Sequence, residues 1–413
     1  MATPKLALIP TGYKAGKLYS VLPESGVGDF TVVRATEATR VNEEGLIETM
    51  GANVPRLDYS GGGCPVLLTE PQRTNIWTNS NLSASISLDG LTRTLNQGIS
   101  PSGNNDATLF NETATTGTHR FYRLDIPSTS TDFSMSFFAR KNGINIIRIV
   151  VQGGTKFADF DLSLGTVGNE SGINSSTIED YGNGWYRCII NVTASGWVGL
   201  YALNDSSQNS YLGDVSKGVY LYGAQLELGS YSTSLINTSG SAVTRNGDQV
   251  TGAGDAATFN DSEGVLMAEI SALNNTVSTY NSIGLGSGSV TNRIGLGFEA
   301  PSNIYVYKRG VGGDWLPFKT VDITSLNKVA LSYKTNDNHF WVNGFKIASN
   351  TIVGDAINLT ELEFEASYGL EEFYGKTSQV QYFNTVLTDS ELETLTSWTS
   401  FIEMAQAQNY NII

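Results

Sequence analysis

Short runs in which apolar and polar residues alternate, cut by glycine, asparagine and aspartate, recur along most of this 413-residue chain. In DFSMSFFAR (132–140), Phe133, Met135 and Phe137 fall on one side, with Ser134, Ser136 and Phe138 on the other. A period of two sends successive side chains to opposite faces of a pleated strand, whereas one helix face needs spacings of three and four. NIIRIVVQG (145–153), KFADFDLS (156–163), WYRCIINVT (185–193) and VYLYGAQLEL (219–228) read as further strands. GNESGINSS and DYGNGW between them have turn chemistry. Several short strands at this spacing predict an all-β fold, and from about 76 to 248 a sandwich of jelly-roll type. Composition agrees: 44 glycines, and only 16% charged residues against about 25% in ordinary globular chains.

The same pattern resumes at about 260 with GVLMAEIS, RIGLGFE, NIYVYKRG, KVALSYKT, HFWVNGFKIA, LTELEFEAS and SQVQYFNTVL. NDNH and Asn343-Gly344 predict tight hairpin turns. One helix is expected, over 388–405: Thr388 and Glu391 form a capping box, and Leu392, Leu395, Trp398 and Ile402 make one apolar stripe. It is expected to close an open end of a sandwich. The small polar residues of 232–259 read as a crossover into this last domain, 249–413. Residues 1–75 are poor in apolar side chains and read as an extended arm that packs on something else, with a hairpin or paired short strands between Phe30 and Ile47. The chain is long enough for such a division.

Charge and motifs exclude much. A net charge of −15 and the lack of a basic stripe argue against nucleic acid and anionic membrane surfaces. No run approaches the roughly 18 apolar residues of a membrane span, and the first residues do not read as a signal peptide. Cys64 and Cys188 give neither a disulfide framework nor a zinc pattern, and both read as reduced core residues. His119 and His339 stand near no nucleophile motif and read as polar strand-edge residues. The glycine-rich GAGDAATF and GLGSGSV lack the lysine of a phosphate loop. No cofactor and no metal are expected.

Two patterns bear on chemistry. ELEFE places Glu361, Glu363 and Glu365 at alternate positions, so all three project from one strand face. Paired carboxylates so placed serve as nucleophile and acid in glycoside hydrolases, and the spacing resembles the E-x-D-x-E core of laminarinase-type glucanases. Here the middle acid is Glu, and AINLT stands where aromatic and glycine residues are usual. A solvated strand face is the plainer reading, since like charges cost little in water. Glycan binding through aromatics that stack on sugar rings is the other pattern, with Trp315, Phe318, Trp197 and Trp341 as candidates, although most aromatics of β domains are core.

Three segments carry a resemblance: ATRVNEEGLIETMGANVPRLDYSGGGCPVLLTEPQRTNIWTNS (38–80), TIEDYGNGWYRCIINVTAS (177–195) and VYLYGAQLELGSYSTSLINTSGSAVTRNGD (219–248). In order and spacing they resemble a module of bacteriophage tail and head fibres and spikes that is similar to carbohydrate-binding-module jelly rolls. KVALSYKTNDNHFWVNGFKI followed by VQYFNTVLTDSELETLT is similar to the concanavalin A-like, laminin-G-like domain that often follows it. The resemblance implies a virion component assembled in the host cytoplasm. It implies attachment through the arm to capsid, portal or tail proteins, a homotrimer, and contact with a host-surface glycan or receptor. The alternatives are a depolymerase using the glutamate face and a ligand-free decoration protein. Within LLTEPQRTN, Pro71 is expected to end strand pairing, and Arg73 to fix the arm through carbonyls or Glu70.

Overall fold

A computed structural model describes residues 2–84, 86–123, 130–151, 154–275, 280–310, 313–351, 354, 358–366, 368–400 and 402–404. The protein is all-β, and its named strands pair antiparallel. It forms two compact units: one comprises Met1–Glu37, Met50–Pro71 and Asn246–Ile413, the other Ala38–Thr49 and Gln72–Arg245.

The second unit is a two-sheet sandwich. One sheet runs Leu91–Gly98, Ala107–Glu112, Gly218–Leu228, Thr131–Asn142, Trp185–Ala194, Ser175–Asp180. The other runs Ser87–Asp89, Thr116–Arg123, Val198–Leu203, Ile146–Val151, Lys156–Asp161, Thr166–Ser171, with Ser210–Leu212 also on Thr116–Arg123. The chain passes back and forth between the sheets, as in a jelly roll. The alternation read from DFSMSFFAR has its expected result. Phe133, Met135 and Phe137 enter the central core with Trp77, Phe110, Phe121 and Phe160, while Phe138 joins a smaller cluster on the opposite face. Burying each such side chain contributes about 1.5–3 kcal/mol. The last two residues of NIIRIVVQG lie outside the described residues; its strand is Ile146–Val151.

The first unit stacks an eight-stranded sheet on a six-stranded one. The larger runs Phe345–Asn350, Asn338–Val342, Asn327–Lys334, Glu263–Ala272, Gly375–Phe383, Val66–Thr69, Leu57–Asp58, with Leu6–Leu8 also paired to Gly375–Phe383. The smaller runs Gly313–Trp315, Asn303–Gly310, Arg293–Glu299, Asn281–Gly286, Glu361–Glu363, with Phe318–Thr320 also on Asn303–Gly310. Their inward residues, among them Leu266, Ile283, Leu296, Val306, Leu331 and Phe340, share one core. Asn343 and Gly344, at φ of 49° and 85°, make the expected tight turn, with Val342 opposite Phe345.

Several expectations need correction. The first 75 residues do not trail as an arm. Leu6, Leu8, Leu18, Phe30, Leu57 and Leu67 belong to the first unit's core, and residues 38–49 belong to the second unit. Phe30–Val33 pairs with Lys17–Leu18 and Gln249–Thr251, and the hairpin is Ala38–Val41 with Ile47–Met50. The helix is Asp389–Thr396, with the capping box present, and not 388–405. Ser397 is extended, and Ile402 is 59% exposed rather than on the stripe. Leu392 covers Trp341, Val265 and Met267 on the outer face of the larger sheet instead of closing an open end. Cys64 is exposed, whereas Cys188 is buried. His119 is buried, its ring nitrogens 2.8 Å from Gly90 O and 3.3 Å from Tyr211 O.

Candidate functional site

The outward face of the jelly roll's Ser87–Asp89 to Thr166–Ser171 sheet carries a row of side chains set by strand register. Asp89 pairs with Arg120, Arg120 with Tyr201, Tyr201 with Arg148, and Arg148 with Asp159. Period-two geometry turns all five to the same side, because Phe121, Leu200, Ile147, Ile149, Ala158 and Phe160 between them enter the core. The row is charge-balanced along its length. Arg120 Nε lies 3.4 Å from Asp89 Oδ2, and its Nη1 donates to the Tyr201 hydroxyl at 2.7 Å. Arg148 donates twice to Asp159, at 2.5 and 2.9 Å, in the fork geometry that fixes a guanidinium plane. Asn169 donates to the same carboxylate at 3.1 Å.

Aromatic rings flank this row. The Arg120 guanidinium lies 5.1 Å from the Tyr122 ring centre, 5.5 Å from that of Tyr201 and 5.9 Å from that of Trp197. Tyr122 and Trp197 meet edge to face at 5.9 Å. Arg148 lies 3.8 Å over Phe157. Between Tyr122 and Val150 stands Gly199. A Cβ there would come within 2.4 Å of Phe121 O and 3.0 Å of Tyr122 Cβ, so only glycine fits and the face dips at that point. Planar rings, guanidinium planes and hydrogen-bonding edges on a rigid sheet are the parts from which sugar-binding surfaces are made: rings pack on C–H faces, and donors and acceptors fix hydroxyls.

Of the residues singled out in the sequence, Trp197 stands in this layer, half-buried beside Val150, Tyr201 and Leu203. The structure does not bring the other three to it. Trp341 is 5% exposed under the helix, which removes it as a stacking residue. Trp315 is half-buried against the first unit's core. Phe318 is 57% exposed opposite Tyr305. Tyr201 was a candidate only by residue type, and Tyr122, Phe157, Arg120 and Arg148 were missed. Their signal was present in the outward positions of FYR, LYAL, IIRIVV and KFADFD, but only the pairing order places them in one layer.

The three glutamates share a face. Leu362 and Phe364 are buried in the core, so Glu361, Glu363 and Glu365 turn the other way. Glu365 accepts from Gly369 N at 2.6 Å. Burial, followed by the charges and hydrogen bonds of Glu361 and Glu365, pushes the Glu363 carboxyl up to about 8. It therefore carries its proton at neutral pH and can donate a hydrogen bond. No group of three or more His, Cys, Asp or Glu among the described residues is placed to hold a metal ion. No helix among them is long and apolar enough to cross a membrane.

The polar letters of the LLTEPQRTN, GNGWYR and GAQLELGSYSTS…VTR segments are internal ties. Asn75 Nδ2 donates to Ala224 O and Ile236 O, at 3.1 and 2.8 Å, and its Oδ1 accepts from Trp77 N and Leu226 N, both at 3.0 Å. Arg187 donates to Thr233 O at 2.7 Å. Gln225 donates to Glu227 at 2.7 Å and accepts from Ile236 N at 2.6 Å. Val243–Arg245 pairs with Arg73–Asn75. Glu70 takes Arg56 as its partner, at 2.5 Å, whereas Arg73 donates to Gln72 O and lies 5.1 Å over Tyr231.

No family model matches the chain, and no curated protein matches it. Solved structures with partial likeness include the Ruminococcus gnavus IT-sialidase CBM40 bound to alpha2,3 sialyllactose, at 16% identity over 35% of this chain and 86% of that one, TM-score 0.29. Domain 4 of AbnA, a GH43 extracellular arabinanase from Geobacillus stearothermophilus in complex with arabinotriose, is 13% identical over 37% and 73%, TM-score 0.30. Mouse laminin alpha1 chain domains LG4-5 are 12% identical over 67% and 90%, TM-score 0.24. The architecture described above rests on its own sheet topology.

Proposed function

We propose that this protein is a glycan-binding structural component of a bacteriophage virion, a tail or head fibre or spike, and that the outward jelly-roll face around Arg120, Tyr122 and Trp197 holds the sugar, over the buried ring of Tyr201. The observation that carries the binding reading is that face: a charge-balanced row with Tyr122, Phe157 and Trp197 along one side of it and the Gly199 dip among them. The virion assignment is supported by the resemblance of the 38–80, 177–195 and 219–248 segments to the fibre module. In this reading the protein works as a homotrimer on the particle and binds host-surface glycan without cleaving it. Attachment to capsid, portal or tail proteins falls to the outward side of the first 75 residues, whose strands are built into the folded units.

The test is binding of the purified protein to host cells and to their extracted polysaccharide, with reducing ends followed over time. Saturable binding without new reducing ends is expected. Trp197→Ala and Tyr122→Ala should each weaken it about tenfold, equivalent to about 1.4 kcal/mol. Full affinity in both variants would remove the face from consideration. A second reading, hydrolysis, is favoured by one observation: the raised carboxyl of Glu363 between two other glutamates. New reducing ends that disappear in Glu363→Gln would establish it.

A further inference from the structure

Asparagine followed by glycine carries a chemistry of its own. The glycine's backbone nitrogen attacks the asparagine Cγ. A C–N bond forms, the bond from Cγ to Nδ2 breaks, and the glycine's amide proton leaves with Nδ2 as ammonia. Water then opens the resulting cyclic imide at either carbonyl, leaving aspartate or isoaspartate. No reagent but water is consumed. The reaction does require a glycine N–H without a hydrogen bond, a carboxamide free to turn, and a backbone able to open locally. Four such pairs occur here: Asn142-Gly143, Asn183-Gly184, Asn246-Gly247 and Asn343-Gly344. The following residue is the same in all four, so the fold decides among them.

Three are held. Asn343 Nδ2 donates to Asn327 Oδ1 at 2.8 Å, its Oδ1 accepts from Lys328 N at 2.9 Å, and Gly344 N donates to Thr396 Oγ1 at 3.1 Å. Asn142 is half-buried at the end of Thr131–Asn142, opposite Gly218, and a Cβ on Gly143 would meet Lys217 Cγ at 3.1 Å. Asn246 is half-buried and donates its N–H to Thr36 Oγ1 at 2.9 Å, two residues before the Asp248 that Arg34 and Arg56 fix.

Asn183 differs on each of these points. It is the only exposed asparagine of the four. It stands at the tip of the hairpin of Ser175–Asp180 and Trp185–Ala194, in a left-handed run of Gly182, Asn183 and Gly184 at φ of 71°, 51° and 77°. Its neighbours close the turn: Gly182 N donates to Asp180 Oδ1 at 2.8 Å, and Trp185 N to Gly182 O and Tyr181 N to Trp185 O, both at 2.9 Å. Neither the Asn183 carboxamide nor the Gly184 N–H has a hydrogen bond among the described residues. A Cβ on Gly182 would have nothing within 4 Å, so the tip has room to move.

The local charge also favours attack. Arg140 Cγ and Cδ lie 3.7 and 3.8 Å from the Cβ position of Gly184, and its guanidinium lies 5.1 Å from the Trp185 ring centre and 4.6 Å from that of Tyr220. Arg140 makes no hydrogen bond or ion pair among the described residues. A permanent cation beside the turn lowers the cost of the negative charge that develops on Gly184 N and on the Asn183 oxygen.

We propose that Asn183 is a spontaneous modification site, which the folded protein converts to aspartate and isoaspartate ahead of its other three Asn-Gly pairs. Isoaspartate adds a methylene to the main chain of the turn that sets Asp180 opposite Tyr186, next to the buried Trp185. The test is peptide mapping of the full chain after weeks in mildly alkaline buffer, with and without urea. In the folded chain Asn183 is expected to convert at about ten times the rate of Asn142, Asn246 and Asn343. In urea the four are expected to convert at similar rates. An intact Asn183 in the folded chain overturns the proposal, and so does any other of the four converting as fast. The same order of rates in urea overturns it too, because the local sequence rather than the fold would then be making the choice. None of these outcomes bears on the sheet-face reading, which depends on Trp197 and Tyr122.

Discussion

Glu363 is the residue whose environment most changes its chemistry. In the folded chain its carboxyl keeps a proton up to about 8, whereas an ordinary glutamate releases it near 4.5. The native state thus binds the extra proton between those values, and stability falls as pH rises through that window. After discounting for water around a half-buried group, the loss is about 1–2 kcal/mol. Glu363→Gln should flatten the slope of urea midpoints between pH 5 and 8 and raise the midpoint at pH 8; an unchanged slope would show that the three carboxyls are fully solvated. Asp248 has the opposite character. It accepts from Arg34 at 2.9 Å, from Arg56 and from Glu70 N at 2.9 Å, all four groups being buried. Burial opposes the Arg56 charge, but Asp248 and Glu70 outweigh it and hold the guanidinium charged. Asp248→Ala leaves two buried arginines with one carboxylate, at a cost of about 3–5 kcal/mol, readable as a fall in thermal midpoint. The acidic spacing at 361–365 was legible because alternation is local. Which tryptophan lies open was not, because Trp197 and Trp341 have similar neighbours in sequence and differ only in what packs over them.

At the scale of elements, the helix Asp389–Thr396 decides the fate of one sheet face. Thr388 Oγ1 accepts from Glu391 N at 3.3 Å, and Glu391 Oε2 accepts from Thr388 N at 3.0 Å. Two otherwise unpaired donors are thereby satisfied. Thr388→Ala should cost about 1 kcal/mol, and Leu392→Ala, which opens a cavity over Trp341, about 2–5 kcal/mol. Tryptophan emission of Leu392→Ala should shift to the red as Trp341 meets water; an unshifted spectrum would mean that something other than the helix covers it. The start of this helix was legible in T-D-S-E because capping is read over four residues. Its end was not, since Leu395, Trp398 and Ile402 keep a helical spacing while S-W-T-S supplies weak helix formers. The strands with strong alternation were legible for the same local reason. Their partners were not: nothing within VLLT announces that Leu67 stands opposite Thr377.

For the whole molecule, an independent last domain at 249–413 was the natural reading of the linker-like 232–259 segment, and the pairing changes its meaning. Gly375–Phe383 is flanked on one side by Leu6–Leu8 and Val66–Thr69. A fragment of 249–413 would lose both and bare a long strand edge, the usual starting point for aggregation. Expressed alone it should be insoluble or unfolded by circular dichroism, and a cooperative melt of that fragment would contradict this. Sedimentation of the full chain at micromolar concentration tests the proposed homotrimer, with three chain masses expected and a single mass counting against it. The interleaving also has a consequence in time. As the ribosome emits the chain, the jelly roll has all its strands once Arg245 has emerged, since it borrows only residues 38–49 from upstream. Leu6–Leu8 and Val66–Thr69 must wait for a strand that ends at Phe383. Segments made before the jelly roll are thus placed after it, held open for more than three hundred residues of synthesis.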